Sequence, residues 1–178
     1  MYNSNVKNLV IRIANVADAS CISLLARITF DETFGHLFRK REDLLNYFDT
    51  TFSVQKIEKS IQKPFTFYWI VFLNNLPIGY AKLKLQSTNE FIKAKNCCQL
   101  QKIYILKDFI NHKIGLYLQN ELLKTAKENN CNQIWLSVLK ENSRAIHFYK
   151  KNNFKIIGAH YFQIGIEIFN FHIMSRKL

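Results

Sequence analysis

Hydrophobic and polar positions fall into short alternating runs separated by stretches that repeat every three to four residues. Residues 9–14 (LVIRIA) alternate and read as a first strand. Residues 19–29 bring Ile22, Leu25 and Ala26 to one face and read as a helix, with Asp18 as its N-cap. Further helices are expected over 41–47 and 54–62. Residues 65–73 (FTFYWIVFL) are dense in aromatic and β-branched side chains, Asn74-Asn75 supplies a turn, and 78–85 (IGYAKLKL) return as the partner strand. Residues 98–106 (CQLQKIYIL) read as another strand. Residues 114–127 set Leu118, Leu122, Leu123 and Ala126 on the inner face of a helix. A strand over 133–138, a helix over 143–151 and strands over 154–158 and 167–175 close the chain.

This order, β-α-α-α-β-β-β-α-β-α-β-β, predicts one α/β domain over residues 1–178 with a mixed sheet. The strand–helix–strand–helix run in the second half requires parallel neighbours there. Trp69 and Trp135 fall inside strands and are expected in the core. No internal repeat, linker or low-complexity tract divides the 178 residues.

Composition narrows the function classes. Hydrophobic residues make up 48% and charged residues 21%, a globular balance that excludes a disordered chain. Cys21, Cys97, Cys98 and Cys131 have neither C-x-x-C spacing nor a histidine at ligand distance in sequence, so reduced thiols and no metal site are expected. No apolar run approaches the length of a membrane span, and the first eight residues are polar, so a cytoplasmic protein without a membrane partner is expected. The net charge of +12 arises from scattered lysines rather than an arginine stripe. Solvated basic faces explain it better than nucleic-acid binding, and a basic surface also suits an anionic ligand.

Two segments carry candidate chemistry. In residues 101–118 (QKIYILKDFINHKIGLYL) a strand ends near Leu106, and a loop leads to a helix beginning near Ile114. Backbone N–H groups at a helix start lack intrahelical partners and sit at the positive end of the dipole, which suits a pyrophosphate. In residues 135–158 a strand runs into a capping Glu141-Asn142-Ser143 turn and then a helix with Ala145, Ile146, Phe148 and Tyr149.

The run Glu141-Asn142-x-x-Ala145-Ile146-x-Phe148-Tyr149-x-Lys151-x-x-Phe154 resembles the second cofactor-site motif of the GNAT superfamily of N-acetyltransferases. Tyr104-Ile105-Leu106 and the following loop resemble the first. The run Phe30-Asp31-Glu32-Thr33-Phe34-Gly35, the strand residues Ile78-Gly79-Tyr80, and Gly158-Ala159-His160 are similar to the bacterial spermidine/spermine N-acetyltransferase branch. The resemblance implies a mixed, mostly antiparallel sheet flanked by helices, with a splayed parallel strand pair at the cofactor site. It implies acetyl-CoA (and coenzyme A) as cofactor, and acetyl transfer to a primary amine of a small molecule, with polyamines as that branch's substrates. By the same resemblance, Ile103, Tyr104 and Ile105 pair with the pantetheine amides, and Asn111, His112, Lys113, Ile114 and Gly115 hold the pyrophosphate. Asn142 contacts the pantetheine arm, Tyr149 is the acid that protonates the leaving thiolate, and Asp31, Glu32 and His160 lie on the acceptor side.

The chain departs from the pattern at two places. The usual loop reads Gln/Arg-x-x-Gly-x-Gly/Ala. The matching residues here are Ile110, Asn111, His112, Lys113, Ile114 and Gly115, so only the last glycine remains. Lys113 offers a phosphate a point charge in place of close backbone approach. Gln99 and Gln101 stand in the central strand where related enzymes often carry carboxylates, so either a base comes from elsewhere, with Asp31 and Glu32 as candidates, or the amine arrives neutral. These departures keep open an alternative, a catalytically weak GNAT-fold binding or regulatory protein, and the +12 charge opposes a polycationic substrate. The tail over 164–178 suits a homodimer contact or ordinary sheet closure.

Overall fold

Residues 8–110 and 112–178 are described by a computed structural model of the chain. Seven strands form one sheet: β1 (Leu9–Ile13), β2 (Thr66–Leu73), β3 (Leu76–Lys84), β4 (Cys97–Ile105), β5 (Gln133–Leu139), β6 (Lys155–Ile164) and β7 (Glu167–Lys177). Their order across the sheet is β1-β2-β3-β4-β5-β7-β6, and β4–β5 is its parallel pair. Helices α1 (Ala19–Phe34), α2 (Arg41–Thr51) and α3 (Val54–Ile61) cover one face, and α4 (Ile114–Glu128) and α5 (Ser143–Lys151) the other.

The two faces are built from different side chains. Trp69, Val71, Leu83, Leu100, Ile134 and Leu136 pack under Leu118, Leu122 and Ala126 of α4. Tyr68, Ile70 and Tyr80 face an aromatic cluster on the α1–α3 side. There Phe30 lies 4.5 Å from Phe34, 5.0 Å from Tyr47 and 5.6 Å from Phe52, ring centre to ring centre. Strand β2 is buried on both faces, which explains its near-continuous apolar sequence.

Three expectations need correction. Helix α1 continues to Phe34 rather than ending near Thr29, because Phe30 and Phe34 are buried in the aromatic cluster. Asp18 does not cap α1 with its side chain. It closes the preceding turn by accepting from the Asn15 N–H at 2.9 Å, and it pairs with Arg12 through two contacts of 2.7 Å. The Arg12 guanidinium holds that carboxyl below the ordinary aspartate range. Strand β6 extends to Ile164 rather than ending at Gly158, because it pairs with β7 along its length, and His160 therefore lies within it.

The detail that shapes the site lies in β4. Leu100 pairs with Leu83 and Lys102 with Lys82, so Gln101 is an extra residue, a β-bulge. Before it, Cys98 and Leu100 face α4. Uninterrupted alternation would send residues 102 and 104 the same way. The bulge reverses the phase: Ile103 and Ile105 face α4, and Tyr104 joins the α1–α3 cluster.

Candidate functional site

Strands β4 and β5 are paired only from Cys97↔Gln133 to Gln99↔Trp135. Beyond Gln99 they diverge, and residues 100–105 of β4 line a wedge-shaped cleft of about 720 Å³ together with Ser137, Val138 and Leu139 of β5. That volume is typical of a ligand site, for which roughly 300–1,000 Å³ is usual. Helices α4 and α5 start at the wedge, and Lys113, Gly115, Asn142, Ala145, Phe148 and Tyr149 complete its walls. A second cleft of about 690 Å³ opens on the α1–α3 face, and Gln101 and Lys102 line both. No carboxylate of a described residue lines either cleft.

Of the residues singled out from sequence, Ile103, Tyr104, Ile105, Lys113, Gly115, Asn142 and Tyr149 are brought together in the wedge. Asn142 caps α5 by accepting from the Ala145 N–H at 3.0 Å. Tyr149, 7% exposed, is packed against Phe148 and Phe154 and lines the wedge. Burial pushes its phenol well above the ordinary tyrosine range, so it keeps its proton. Tyr104 is raised as well, by burial first and then by Tyr47 and Tyr149, and it stacks on Tyr80 at 5.9 Å.

Lys113 has φ +58°, the left-handed conformation glycine adopts without strain, at the N-cap of α4. The backbone therefore keeps the geometry of a glycine loop while the side chain adds a cation. Ile114 contributes no side chain to the wedge, because it is fully buried in the α4-side core. His112 is exposed and outside the lining, and Asn111 lies outside the described residues.

The acceptor-side residues are placed less simply. Asp31 lines neither cleft. Both of its oxygens are engaged by Arg41, at 2.5 and 2.8 Å, which lowers its pKa from the ordinary range. Glu32 accepts from the Lys107 N–H at 3.1 Å, tying the end of α1 to the segment after β4 rather than facing a cleft. His160 reaches the wedge through Ser137: its Nε2 lies 2.8 Å from Ser137 Oγ, and its ring stacks on Phe171, which also lines the wedge.

Sequence reasoning passed over Ser137, Lys82 and Lys102. Ser137 carried one usable signal, a polar residue inside an otherwise apolar strand. For Lys102 the signal was hidden, because the bulge that re-aims it leaves no mark in the pattern.

The wedge meets the requirements of a long, anionic, amide-bearing ligand such as coenzyme A. The β4 edge over residues 100–105 has no strand beside it on the β5 side. Gly115 lines the cleft, and a Cβ there would meet only ordinary contacts, Ile105 at 3.6 Å and Phe148 at 3.9 Å, so protein does not fill the space before it. Lys113, Arg144 and Lys151 supply positive charge around the lining. Among the described residues no cluster of metal-ligating side chains occurs, and no helix is long and apolar enough to cross a membrane.

Comparison with known proteins agrees with this geometry. An N-acetyltransferase of Lactobacillus delbrueckii subsp. lactis, itself uncharacterized and encoded in the pepI 3′ region, is 25% identical over 141 residues, 79% of this chain and 81% of that one. Spermidine N(1)-acetyltransferase of Thermoplasma acidophilum is 24% identical over 153 residues, 84% of this chain and 89% of its own. The crystal structure of PaiA N-acetyltransferase from Thermoplasma acidophilum in complex with coenzyme A has the same fold, with a TM-score of 0.73 at 21% identity, covering 96% of this chain and 99% of that one. The sequence model of the acetyltransferase (GNAT) family matches residues 30–154, well over half the chain. The chain thus belongs to the GNAT family of acetyl-CoA-dependent N-acetyltransferases.

Proposed function

We propose that the protein acetylates the primary amine of a small molecule that enters from the α1–α3 face. The observation that carries this reading is the meeting of the two clefts at the β4 bulge, where Gln101 and Lys102 line both. A donor in the wedge and an acceptor in the second cleft then approach each other through the sheet. Residues 103–105, Gly115 and Asn142 are the groups for holding the cofactor, with Lys113, Arg144 and Lys151 toward its phosphates. When bound, acetyl-CoA supplies an acetyl group activated as a thioester.

The chain's own residues account for the proton movements. The amine must shed a proton, and Ser137 Oγ can pass it to His160 Nε2 across their 2.8 Å contact. At the opposite end of the exchange a leaving thiolate needs a proton, and Tyr149 Oη holds one in a desolvated position. Tyr149 on α5 and the Ser137–His160 contact between β5 and β6, which β7 separates, keep acid and base apart. A polyamine acceptor has the support of the Thermoplasma relative. The carboxylate-free lining of both clefts speaks against a polycation, so the reading stops at a primary amine.

Three outcomes test this account. Gly115→Ala should keep or raise Tm, since alanine is the better helix former, yet weaken acetyl-CoA binding about fivefold or more by calorimetry. Unchanged affinity would remove close backbone approach at this position. Tyr149→Phe should lower kcat about a hundredfold with acetyl-CoA affinity held within about twofold. An unchanged kcat would remove Tyr149 as the acid. Ser137→Ala and His160→Ala should each lower kcat, and the double variant should be no slower than the slower single one, because the two act in one relay. Additive losses would show that they do not work together.

A further inference from the structure

Lys82 on β3 and Lys102 on β4 are register partners, so their side chains stand side by side on the same face of the sheet. Like charges directly opposite one another destabilise a strand pair. Both side chains line the second cleft, and neither has a carboxylate or hydrogen-bond acceptor among the described residues. Their contacts are with aromatic faces: Lys102 Nζ lies 5.3 Å from the Phe52 ring centre and 5.9 Å from that of Tyr104, and Lys82 Nζ lies 5.1 Å from Tyr68. A ring face attracts the charge but accepts no conventional hydrogen bond, so the three N–H donors of each ammonium lack strong acceptors. Burial draws both groups down to about 8, and at Lys82 the neighbouring charges of Lys102, Lys63 and Lys84 add to the shift.

The rest of the cleft reinforces the charge. Lys56, Lys59 and Lys63 of α3 and its C-terminal end line the same cavity. Ser53, Ser60 and Tyr68 add hydroxyl groups to the lining, and Tyr68 Oη donates to Ser60 Oγ at 2.9 Å. Five lysines and, among the described residues, no carboxylate line this cavity, and two of the five are partly withdrawn from water on its inner wall. A charge held in this way without a partner is costly, and an anion between Lys82 and Lys102 would satisfy both at once.

From this we infer that the acceptor is an amine carrying an anionic group, a phosphate or a carboxylate, which Lys82 and Lys102 hold while the amine is directed toward the bulge at Gln101. The inference rests on the acetyl-transfer reading above and deepens it by naming the acceptor class. It also gives the +12 charge a local purpose, since the basic mouth of α3 draws an anion inward.

The test is an acceptor assay on the intact protein with saturating acetyl-CoA, using matched amines. Ethanolamine is set against phosphoethanolamine, glucosamine against glucosamine 6-phosphate, cadaverine against lysine, and spermidine serves as the polycation. The expected result is a kcat/KM at least about tenfold higher for the anionic member of a pair, with spermidine poorest. The phosphate and carboxylate arms identify which anion fits. Lys82→Met and Lys102→Met should each cut that preference severalfold and raise Tm, because an apolar side chain replaces an uncompensated charge. A preference for the member without the anionic group or for spermidine would overturn the inference and leave acetyl transfer intact, as would a preference unaffected by both variants. Acetylation of no amine, with acetyl-CoA demonstrably bound, would remove the inference together with the transfer reading beneath it.

Discussion

A β-strand sends its side chains to alternate faces, so one inserted residue reverses the destination of every residue after it. In β4 that residue is Gln101. The bulge keeps Leu100 in the α4-side core, turns Tyr104 toward the aromatic cluster and sets Lys102 beside Lys82. It falls just past Gln99, where β4 and β5 part. The wedge and the second cleft therefore meet at the irregularity that separates the strands. Without the extra residue, Lys102 would project into the apolar layer under α4, where an unpaired ammonium has no place.

The two helical layers hold this arrangement from opposite sides. Under α4 the contacts are mainly aliphatic, and they fix the start of that helix at the wedge through fully buried Ile114. On the other side, Phe30 joins α1 to α2 through Tyr47 and Phe48, and Phe52 carries the cluster toward the second cleft and the Lys102 ammonium. Lys113 stands beside the wedge in a left-handed conformation, and Lys82 and Lys102 line the second cleft without counterions among the described residues.

Much of the architecture was legible in the sequence because it follows from periodicity. The strands at 65–73 and 98–106, the helix beginning at Ile114 and the α5 motif through Tyr149 all appear close to their expected positions. Lengths were less legible where tertiary contact decides them. Phe30 and Phe34 extend α1, and pairing with β7 extends β6 past Gly158. The partners of carboxylates were hidden for a related reason: the sequence sets Asp31 and Glu32 on the acceptor side by resemblance, and only the fold shows Arg41 and the Lys107 backbone engaging them. The Ser137–His160 contact joins residues 23 apart on strands that meet only through β7, which no local pattern reports.

The central claim is that the parted β4–β5 edge, with Lys113 standing where a loop glycine is usual, forms a working acetyl-CoA site. Calorimetric titration of acetyl-CoA into the purified protein, with coenzyme A in parallel, tests it most directly. The account predicts saturable one-site binding of both, with a Kd in the micromolar range, about −8 kcal/mol. No heat and no saturation at millimolar acetyl-CoA would contradict it and leave a GNAT fold whose wedge serves another ligand.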